Sequence, residues 1–354
     1  MKIAQLVSNL NKVFLTANNA IYSHVGNLCD AFVTDGDEVT LFGSGDSETK
    51  ANIVSVYPIA LNLDQSLTDK QKNHYINHLI SECYKRSDEF DIIHSHFTLL
   101  SSFFSELTNT PTLISVHSPI DQQIKPFLEK FKNNYYLSFS WAQRRQMPEL
   151  NWFANIYHGV DTNKFSFNPA PKDYFLYLGR VTEEKGVHLA IEAAQKANVK
   201  LMIAGKSYPG EGYWHKNIEK NIDGKNIIYI GEQSFEDKIK LLQDAKALLF
   251  PSQCEEVFGY SMIESMSCGT PVIGWNKGSV PEVIKNGETG YIVNSVEEMV
   301  EAINKIDKID RNATRKRVEI FFSIEKMIKG YRNVYKKLTE IKAREKIQKI
   351  NSTN

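Results

Sequence analysis

Short apolar runs alternate along this chain with segments whose apolar residues recur at the spacing of an α-helix. In the first half, the pattern predicts strands at residues 2–7, 39–42, 53–56, 91–94, 112–116, 135–139 and 154–157. After the first strand it predicts a helix with Ile21, Val25, Leu28, Cys29 and Phe32 on one face. In the second half, it predicts strands at residues 175–178, 201–204, 227–230, 247–250, 271–274 and 291–293, and helices near 186–197, 234–244, 259–267 and 296–306. Such alternation indicates βα units, and therefore an α/β protein built on parallel sheets.

The length of the chain, 354 residues, fits two domains of about 150–180 residues each. Residues 162–173 contain two prolines and no periodicity, so they predict a linker. We therefore expect one domain at residues 1–165 and a second at residues 166–325, followed by a lysine-rich helix at about residues 326–350. Parallel sheets bind ligands beyond the carboxyl ends of their strands, and we expect the chemistry there.

Charge and composition exclude some classes of protein. The 42 basic and 42 acidic side chains balance, so no net field attracts nucleic acid. No apolar run in the sequence approaches the roughly 18 residues of a membrane span, although peripheral contact with the inner face of a membrane stays open. Scattered cysteines favour reduced thiols and a cytoplasmic location. They are Cys29, Cys83, Cys254 and Cys268.

We expect no bound metal ion. His94 and His96 are two residues apart, but no cysteine lies nearby in the sequence to complete a zinc site. The string Asp35-Gly36-Asp37 stands between a predicted helix and a predicted strand, and it indicates a tight turn rather than a Mg²⁺ site.

The segment PSQCEEVFGYSMIESMSCGTPV, residues 251–272, carries the strongest chemical signal. A helix is predicted to begin near Gly259, so the N–H groups of residues 258–261 lie at a helix N-terminus, which suits a phosphate group. Glu256 and Glu264 are suited to accept hydrogen bonds from sugar and ribose hydroxyls. The same pair fits a glycosidase acid and nucleophile, and either glutamate alone fits a solvated surface. The adjacent phosphate site favours a nucleotide sugar.

A second segment, LGRVTEEKG at residues 178–186, follows the first predicted strand of the second domain. Gly179 and Arg180 end this strand and Lys185 precedes a helix, a geometry in which two cations converge on a diphosphate. The alternative is a solvated turn in which Lys185 pairs with one of the two glutamates before it.

Together, LGRVTEEKG and EVFGYSMIESMSCGTPV resemble the motifs of retaining glycosyltransferase family 4. Further similar segments are DEVTLF, FDIIHSHF, LISVHSP, NIYHGVDTNKF and GSVPEVIKNGETGYIV, so the resemblance covers about residues 1–335. It implies the GT-B fold, in which two Rossmann-like parallel-sheet domains face each other across a cleft and the C-terminal helix crosses back to the first domain.

The resemblance also implies roles for residues of the second domain. Arg180 and Lys185 would hold the diphosphate of the donor. Glu256 would contact the transferred sugar, and Glu264 the ribose hydroxyls. The remaining donor-binding residues that it implies are Gly179, Phe258, Gly259, Tyr260 and Ser261.

In the first domain, the resemblance implies that His117, at the end of a predicted strand, contacts the transferred sugar. His117 would then be a catalytic residue together with Arg180, Lys185 and Glu256. The alternative is a structural histidine whose hydrogen bonds are all made within the fold. His96, Asn19 and Ala20 fall on the acceptor side. The family usually has a Gly-Gly pair where Asn19 and Ala20 stand, and alanine adopts positive φ poorly. We therefore expect the acceptor side to differ from the family's geometry.

The implied activity is the transfer of a hexosyl unit from a nucleoside-diphosphate sugar to an acceptor hydroxyl, with retention of configuration and without a metal or other cofactor. A UDP-hexose is the favoured donor and GDP-mannose the next, whereas the acceptor is not indicated. The alternatives are a GT-B nucleotide-sugar epimerase, a phosphorylase of that fold, and a non-catalytic subunit that binds sugar nucleotides.

Overall fold

A computed structural model of the protein describes residues 1–17, 19–208 and 212–353. The chain divides into two compact units. Unit 1 comprises Met1–Phe139, Arg144–Ile156 and Ile328–Asn354, and unit 2 comprises Ser140–Gln143 and Tyr157–Met327. The main division therefore falls a few residues before the position expected from the sequence, and the proline-containing segment 162–173 lies within unit 2.

Unit 1 is built on a seven-stranded parallel sheet with the order β3-β2-β1-β4-β5-β6-β7. Its strands are β1 (Lys2–Leu6), β2 (Glu38–Phe42), β3 (Asn52–Val54), β4 (Ile92–Ser95), β5 (Thr112–Ser115), β6 (Tyr135–Ser138) and β7 (Trp152–Asn155). The α-helices from this part of the chain are α1 (Ala20–Thr34), α2 (Asp69–Lys85), α3 (Thr98–Phe104), α4 (Lys125–Leu128) and α5 (Trp141–Arg144).

Helix α1 forms for reasons that are visible in its sequence. The side chain of Asn19 accepts a hydrogen bond of 3.1 Å from the N–H of Ile21, which satisfies one of the free donors at the helix start. The helix buries the apolar face that its spacing predicts, so burial rather than intrinsic propensity fixes its orientation. That face includes Val25, Leu28, Cys29 and Phe32.

Unit 2 is built on a six-stranded parallel sheet with the order β10-β9-β8-β11-β12-β13. Its strands are β8 (Phe175–Leu178), β9 (Leu201–Ala204), β10 (Ile227–Gly231), β11 (Leu248–Phe250), β12 (Val272–Trp275) and β13 (Gly290–Val293). Its helices are α6 (Val187–Ala197), α7 (Phe235–Asp244), α8 (Tyr260–Ser267), α9 (Val280–Val283), α10 (Val296–Asn304) and α11 (Arg311–Phe321).

The core of unit 2 lies where α6 and α10 pack together and against the sheet. Ser295 begins α10 by accepting a hydrogen bond of 3.1 Å from the N–H of Glu298. The apolar residues of the two helices then bury against the strands, and this burial is the main favourable contribution to folding. They include Ala190, Ala194, Met299, Ala302 and Ile303.

The last helix, α12 (Ile324–Thr353), begins in unit 2 and belongs to unit 1 from Ile328 onward. Tyr331, Tyr335 and Leu338 of this helix are fully buried, and the ring of Tyr335 stacks on Phe32 of α1 at 5.1 Å between centroids. Among the described residues, none of the helices has the length and apolar character that crossing a membrane requires.

The string Asp35-Gly36-Asp37 forms the turn from α1 to β2, as the sequence predicts. Its two carboxylates bind Arg332 of α12, with Nη2 at 2.7 Å from Asp35 and Nη1 at 2.8 Å from Asp37. Asp37 also accepts a hydrogen bond from the amino group of Met1 at 2.7 Å. The acidic string therefore anchors the last helix to the start of the sheet.

Helices α2 and α11 were not predicted, and neither were the shorter helices α3, α4, α5 and α9. Helix α2 begins with a capping box, in which Thr68 accepts from the N–H of Gln71 and the side chain of Gln71 accepts from the N–H of Thr68. A threonine followed by glutamine three residues later is a sequence signal for a helix start. That signal could have identified α2 from the sequence.

Candidate functional site

The helix predicted near Gly259 begins at Tyr260, directly after the loop that leaves β11. Gly259 has a φ of +82°, a backbone conformation that favours glycine, and a Cβ there would also displace Cε of Met262, 2.8 Å away. Phe258 is buried, and its carbonyl accepts a hydrogen bond of 2.7 Å from Ser279. At residues 258 and 259, only the backbone can therefore take part in ligand binding.

The two motif segments of unit 2 meet in an ion pair between Lys185 and Glu256. Nζ of Lys185 lies 2.6 Å from Oε2 of Glu256, and the two side chains are only 20% and 16% exposed. Ser252 donates a second hydrogen bond to the same carboxylate oxygen at 3.1 Å. Burial alone would lower the pKa of Lys185, but the carboxylate of Glu256 outweighs it and raises this pKa.

The loops that carry this ion pair are packed backbone against backbone. Gly186 has a φ of +72°, and a Cβ there would lie 2.1 Å from the carbonyl oxygen of Pro251. The N–H of Gln253 donates to the carbonyl of Glu184 at 2.7 Å. Glycine at position 186 thus allows Lys185 to approach Glu256.

Arg180 lies on the surface of the first of these loops rather than in the ion pair. Its side chain is 57% exposed, and Nη2 is 2.9 Å from Oε1 of Glu184. The alternative pairing of Lys185 with Glu183 or Glu184 is wrong, because Lys185 pairs with Glu256 and Arg180 is the residue that pairs with Glu184. At Gly179 a Cβ would be 3.5 Å from the hydroxyl of Tyr177, an ordinary contact, so the structure gives no steric reason for a glycine there.

Glu264 forms a second partly buried ion pair, which sequence reasoning missed. Nζ of Lys238, on α7, lies 2.6 Å from Oε1 of Glu264, and the two side chains are 16% and 13% exposed. A partly buried carboxylate needs a counter-charge. That rule indicates that a cation exists, but only the packing of α7 on α8 identifies it as Lys238.

Tyr260 and Ser261 occupy the first turn of α8. The ring of Tyr260 stacks on His158 at 4.4 Å between centroids, and its hydroxyl lies 3.2 Å from Nδ1 of His158. The side chain of Tyr260 thus holds the start of the helix, whereas Ser261 is partly exposed. The first N–H groups of an α-helix have no acceptor within the helix, which suits this end to an anion.

In unit 1, the structure brings His117 and His96 together at the carboxyl ends of neighbouring strands. Nε2 of His117 lies 2.8 Å from Nδ1 of His96, which is buried and whose Nε2 lies 3.2 Å from Oε1 of Gln5. Desolvation lowers the pKa of His117 to about 3, so its imidazole is neutral near pH 7. His94, on β4, is also fully buried, and desolvation lowers its pKa well below its ordinary value.

Asn19 and Ala20, which were expected on the acceptor side, form the start of α1. Asn19 is the N-cap, with φ −85°, and Ala20 is the first helical residue. Neither residue has a positive φ. The strain that positive φ would impose on an alanine is therefore not present at this position.

Several cysteine, histidine and acidic side chains approach one another in both units. Among residues 1–17, 19–208 and 212–353, however, no group of three or more of them is arranged to hold a metal ion.

Two family models match successive parts of the chain. Glycosyltransferase Family 4 matches residues 22–163, and Glycosyl transferases group 1 matches residues 160–319. The chain is 25% identical to the O-antigen chain mannosyltransferase C of Escherichia coli over 290 residues, which cover 72% of this chain and 78% of that protein.

Solved structures match almost the whole chain. Sucrose-phosphate synthase from Thermosynechococcus elongatus matches with a TM-score of 0.74 and 19% identity, over 96% of this chain and 99% of that one. Anabaena HepE, crystallised with UDP and glucose, matches with a TM-score of 0.72 and 16% identity, over 95% of this chain and 100% of that one. The two parallel-sheet units and the long last helix thus define a protein of the GT-B fold.

Within that class, the chain belongs to glycosyltransferase family 4, whose two models together match residues 22–319. It is a glycosyltransferase that binds nucleotide sugars.

Proposed function

We propose that this protein transfers a hexosyl unit from a nucleoside-diphosphate sugar to an acceptor hydroxyl, with retention of configuration and without a metal ion. The proposal includes the residue roles expected from the sequence. Arg180 and Lys185 bind the diphosphate, Glu264 the ribose, and Glu256 and His117 the transferred sugar. We also propose that the protein is cytoplasmic and acts in the synthesis of a polysaccharide, a glycolipid or a small glycoside.

The observation that carries the proposal is the ion pair between Lys185 and Glu256, 2.6 Å apart. A cation suited to phosphate and a carboxylate suited to hydroxyls meet at one point, although 71 positions separate them in the chain. In a nucleotide sugar, the phosphate and the sugar are joined at the anomeric carbon. A site in which Lys185 and Glu256 touch therefore fits the phosphate on one side of the breaking bond and the sugar on the other.

Rate acceleration would come from stabilising the leaving group. Negative charge grows on the diphosphate as the glycosidic bond breaks, and one preorganised donor aimed at such charge is worth about 3–4 kcal/mol. Lys185 is held in place by Glu256 and by the glycine beside it, so little reorganisation is needed. The first turn of α8 adds up to about 2 kcal/mol for a phosphate at its N-terminus. The leaving phosphate would accept the proton of the attacking hydroxyl.

A UDP-hexose is the donor that we favour, with GDP-mannose next. Support for UDP comes from the similarity to HepE, which was crystallised with UDP and glucose. Support for a mannosyl donor comes from the similarity to the mannosyltransferase of Escherichia coli.

A thermal-shift panel of nucleotide sugars, followed by product analysis, tests this proposal. A true donor at 100 times its Kd should stabilise the fold by about 2.7 kcal/mol. We expect one UDP-hexose to do so and to release UDP in proportion to glycoside formed. Failure of every nucleotide sugar to bind would refute the proposal, and recovery of an epimerised donor without transfer would replace it by an epimerase.

Metal independence has a test of its own. Because Arg180, Lys185 and the start of α8 take the place of a cation, activity should survive an excess of EDTA. Loss of activity in EDTA with recovery in Mg²⁺ or Mn²⁺ would show that the diphosphate is bound through a metal instead.

A further inference from the structure

A continuous chain of hydrogen bonds runs through the core of unit 1 and includes His117. It joins the sheet to the last helix through side chains that lie far apart in the sequence. Its members, in order, are His117, His96, Gln5, Tyr335, His94 and Ser115. We call it the histidine chain.

The five links of the histidine chain are all of hydrogen-bond length. Nε2 of His117 is 2.8 Å from Nδ1 of His96, and Nε2 of His96 is 3.2 Å from Oε1 of Gln5. Nε2 of Gln5 donates to the hydroxyl of Tyr335 at 2.9 Å. That hydroxyl is 2.6 Å from Nδ1 of His94. Nε2 of His94 is 2.8 Å from Oγ of Ser115.

Gln5 gives the histidine chain its direction, because an amide has one accepting end and one donating end. Its oxygen faces His96, so the proton of His96 is on Nε2. A neutral His96 then accepts at Nδ1, and the proton of His117 must also be on Nε2. Neutrality is consistent with the burial that lowers the pKa of His117 to about 3.

The same amide also fixes the proton positions at the other end of the histidine chain. Its nitrogen donates to Tyr335, whose single hydroxyl proton must then go to Nδ1 of His94. His94 therefore carries its own proton on Nε2 and donates it to Ser115. In this arrangement each link has one donor and one acceptor, so all three histidines adopt the same Nε2–H tautomer.

We propose that Gln5 and Tyr335 are positioning residues that hold His117 as the Nε2–H tautomer, so that its Nδ1 accepts a hydrogen bond from a hydroxyl of the transferred sugar. The second clause rests on the proposed function. The histidine chain thus connects the last helix to sugar binding by His117. Tyr335 lies on α12 and holds His117 in its tautomer through Gln5 and His96.

Side-chain ¹⁵N NMR of the full-length protein labelled on histidine tests the tautomers directly. The nine histidines can be assigned by single substitutions. We expect His94, His96 and His117 to be neutral with the proton on Nε2. Reversal of the Gln5 amide would reverse every link and place all three protons on Nδ1, so that result, or a mixed set in the wild-type protein, would overturn the proposal.

The variant Tyr335→Phe removes one hydroxyl and keeps the ring that stacks on Phe32. It leaves the Gln5 amide without its acceptor and His94 without its donor, so we expect mixed tautomers in the histidine chain. Gln5→Met, which cuts the chain on the His117 side of Tyr335, should disturb His96 and His117 in the same way. The matched control is Tyr136→Phe, since Tyr136 is also fully buried in unit 1, but its hydroxyl lies 2.9 Å from Oγ of Ser102 and donates to the carbonyl of Phe131 at 3.0 Å.

Kinetics then test the role. Tyr335→Phe should lower kcat about tenfold, the effect of one lost hydrogen bond, with the Kd of UDP within twofold. Tyr136→Phe should keep kcat within about twofold. In a His117→Ala background, Tyr335→Phe should add no further loss. An undiminished effect of Tyr335→Phe on kcat in that background, or unchanged tautomers in Tyr335→Phe, would overturn the positioning role.

The test also separates this inference from the proposed function. If the three histidines have the expected Nε2–H tautomers but the protein transfers no sugar, the proposed function is refuted and the histidine chain still stands.

Discussion

Lys185 and Glu256 form an ion pair of 2.6 Å at the junction of two loops, with at most one fifth of either side chain exposed. The pair brings together two segments that the sequence indicates separately. Under the proposed function, a donor diphosphate shares Lys185 with Glu256 when it binds. We therefore expect this lysine to contribute both to the stability of the free protein and to catalysis.

Replacement of Lys185 by alanine should affect both properties. The carboxylate of Glu256 would lose its charged partner, so we expect the free energy of unfolding to fall by about 1–3 kcal/mol. We also expect kcat/KM to fall by about 100-fold or more, because a donor to the leaving group is lost. Urea unfolding and steady-state kinetics measure the two effects.

Lys12→Ala is the matched control for stability. Lys12 and Glu48 also lie 2.6 Å apart, but the two side chains are 36% and 67% exposed. An exposed pair of this kind contributes less than about 1 kcal/mol. Equal losses of stability in the two variants would mean that the environment of the Lys185–Glu256 pair does not matter.

Arg180→Ala should separate catalysis from stability. Arg180 is exposed and pairs on the surface with Glu184, so the free energy of unfolding should change by less than about 1 kcal/mol. Its proposed contact with the diphosphate predicts a fall in kcat/KM of about 100-fold. Arg180→Lys should recover only part of the activity, since lysine lacks the planar fork of arginine.

The control is Arg86→Ala, which removes another surface arginine that pairs with a nearby glutamate, Glu89, at 2.7 Å. This variant should keep its activity. A decrease of less than threefold in a folded Arg180→Ala protein would exclude the proposed contact with the diphosphate.

Much of the fold follows from local sequence pattern. Strands β8 and β9 have the bounds that the apolar runs predict, and α1 buries its predicted face. Local pattern succeeds here because each element is fixed by the spacing of its own apolar residues. The edge strand β7 begins two residues before the predicted run 154–157, at Trp152.

The site could be predicted only in part, because its pairs depend on how distant elements pack. Sequence alone indicates that Glu256 and Glu264 accept hydrogen bonds, but not that Lys185 and Lys238 hold them. Those pairings span 71 and 26 positions. No periodicity within one element carries such information.

The two glutamates should differ in what they bind. Ribose contacts change little as the sugar leaves, so Glu264→Gln should weaken UDP and donor binding alike. Sugar contacts change in the transition state, so Glu256→Gln should lower kcat with little effect on the Kd of UDP. Calorimetry with UDP, beside steady-state kinetics, measures both. Loss of UDP binding in Glu256→Gln together with normal binding in Glu264→Gln would reverse the two roles.

Lys238 extends this prediction to a residue outside the sequence motifs. It touches Glu264 at 2.6 Å, so Lys238→Met should weaken UDP binding about tenfold with a small change in kcat, by leaving Glu264 without the partner that orients it. Lys240→Met on the same helix is the control, because the side chain of Lys240 is 73% exposed and pairs with Asp237. Equal UDP affinities in the two variants would contradict the positioning role of Lys238.

Two histidines whose pKa is lowered by desolvation, His94 and His117, should make the protein less stable in mild acid. Burial lowers the pKa of His117 to about 3 and that of His94 well below its ordinary value. Below a pH of about 6.5 the unfolded chain binds protons at these residues that the folded chain does not. The free energy of unfolding should therefore fall as the pH falls from about 6.5 towards 3. Urea unfolding at pH 7.5 and 5.5 measures this change. His117→Gln should remove part of it, whereas His74→Gln, which replaces an exposed histidine, should leave it intact. An unchanged pH dependence in His117→Gln would show that His117 binds a proton as readily in the folded protein as in the unfolded chain.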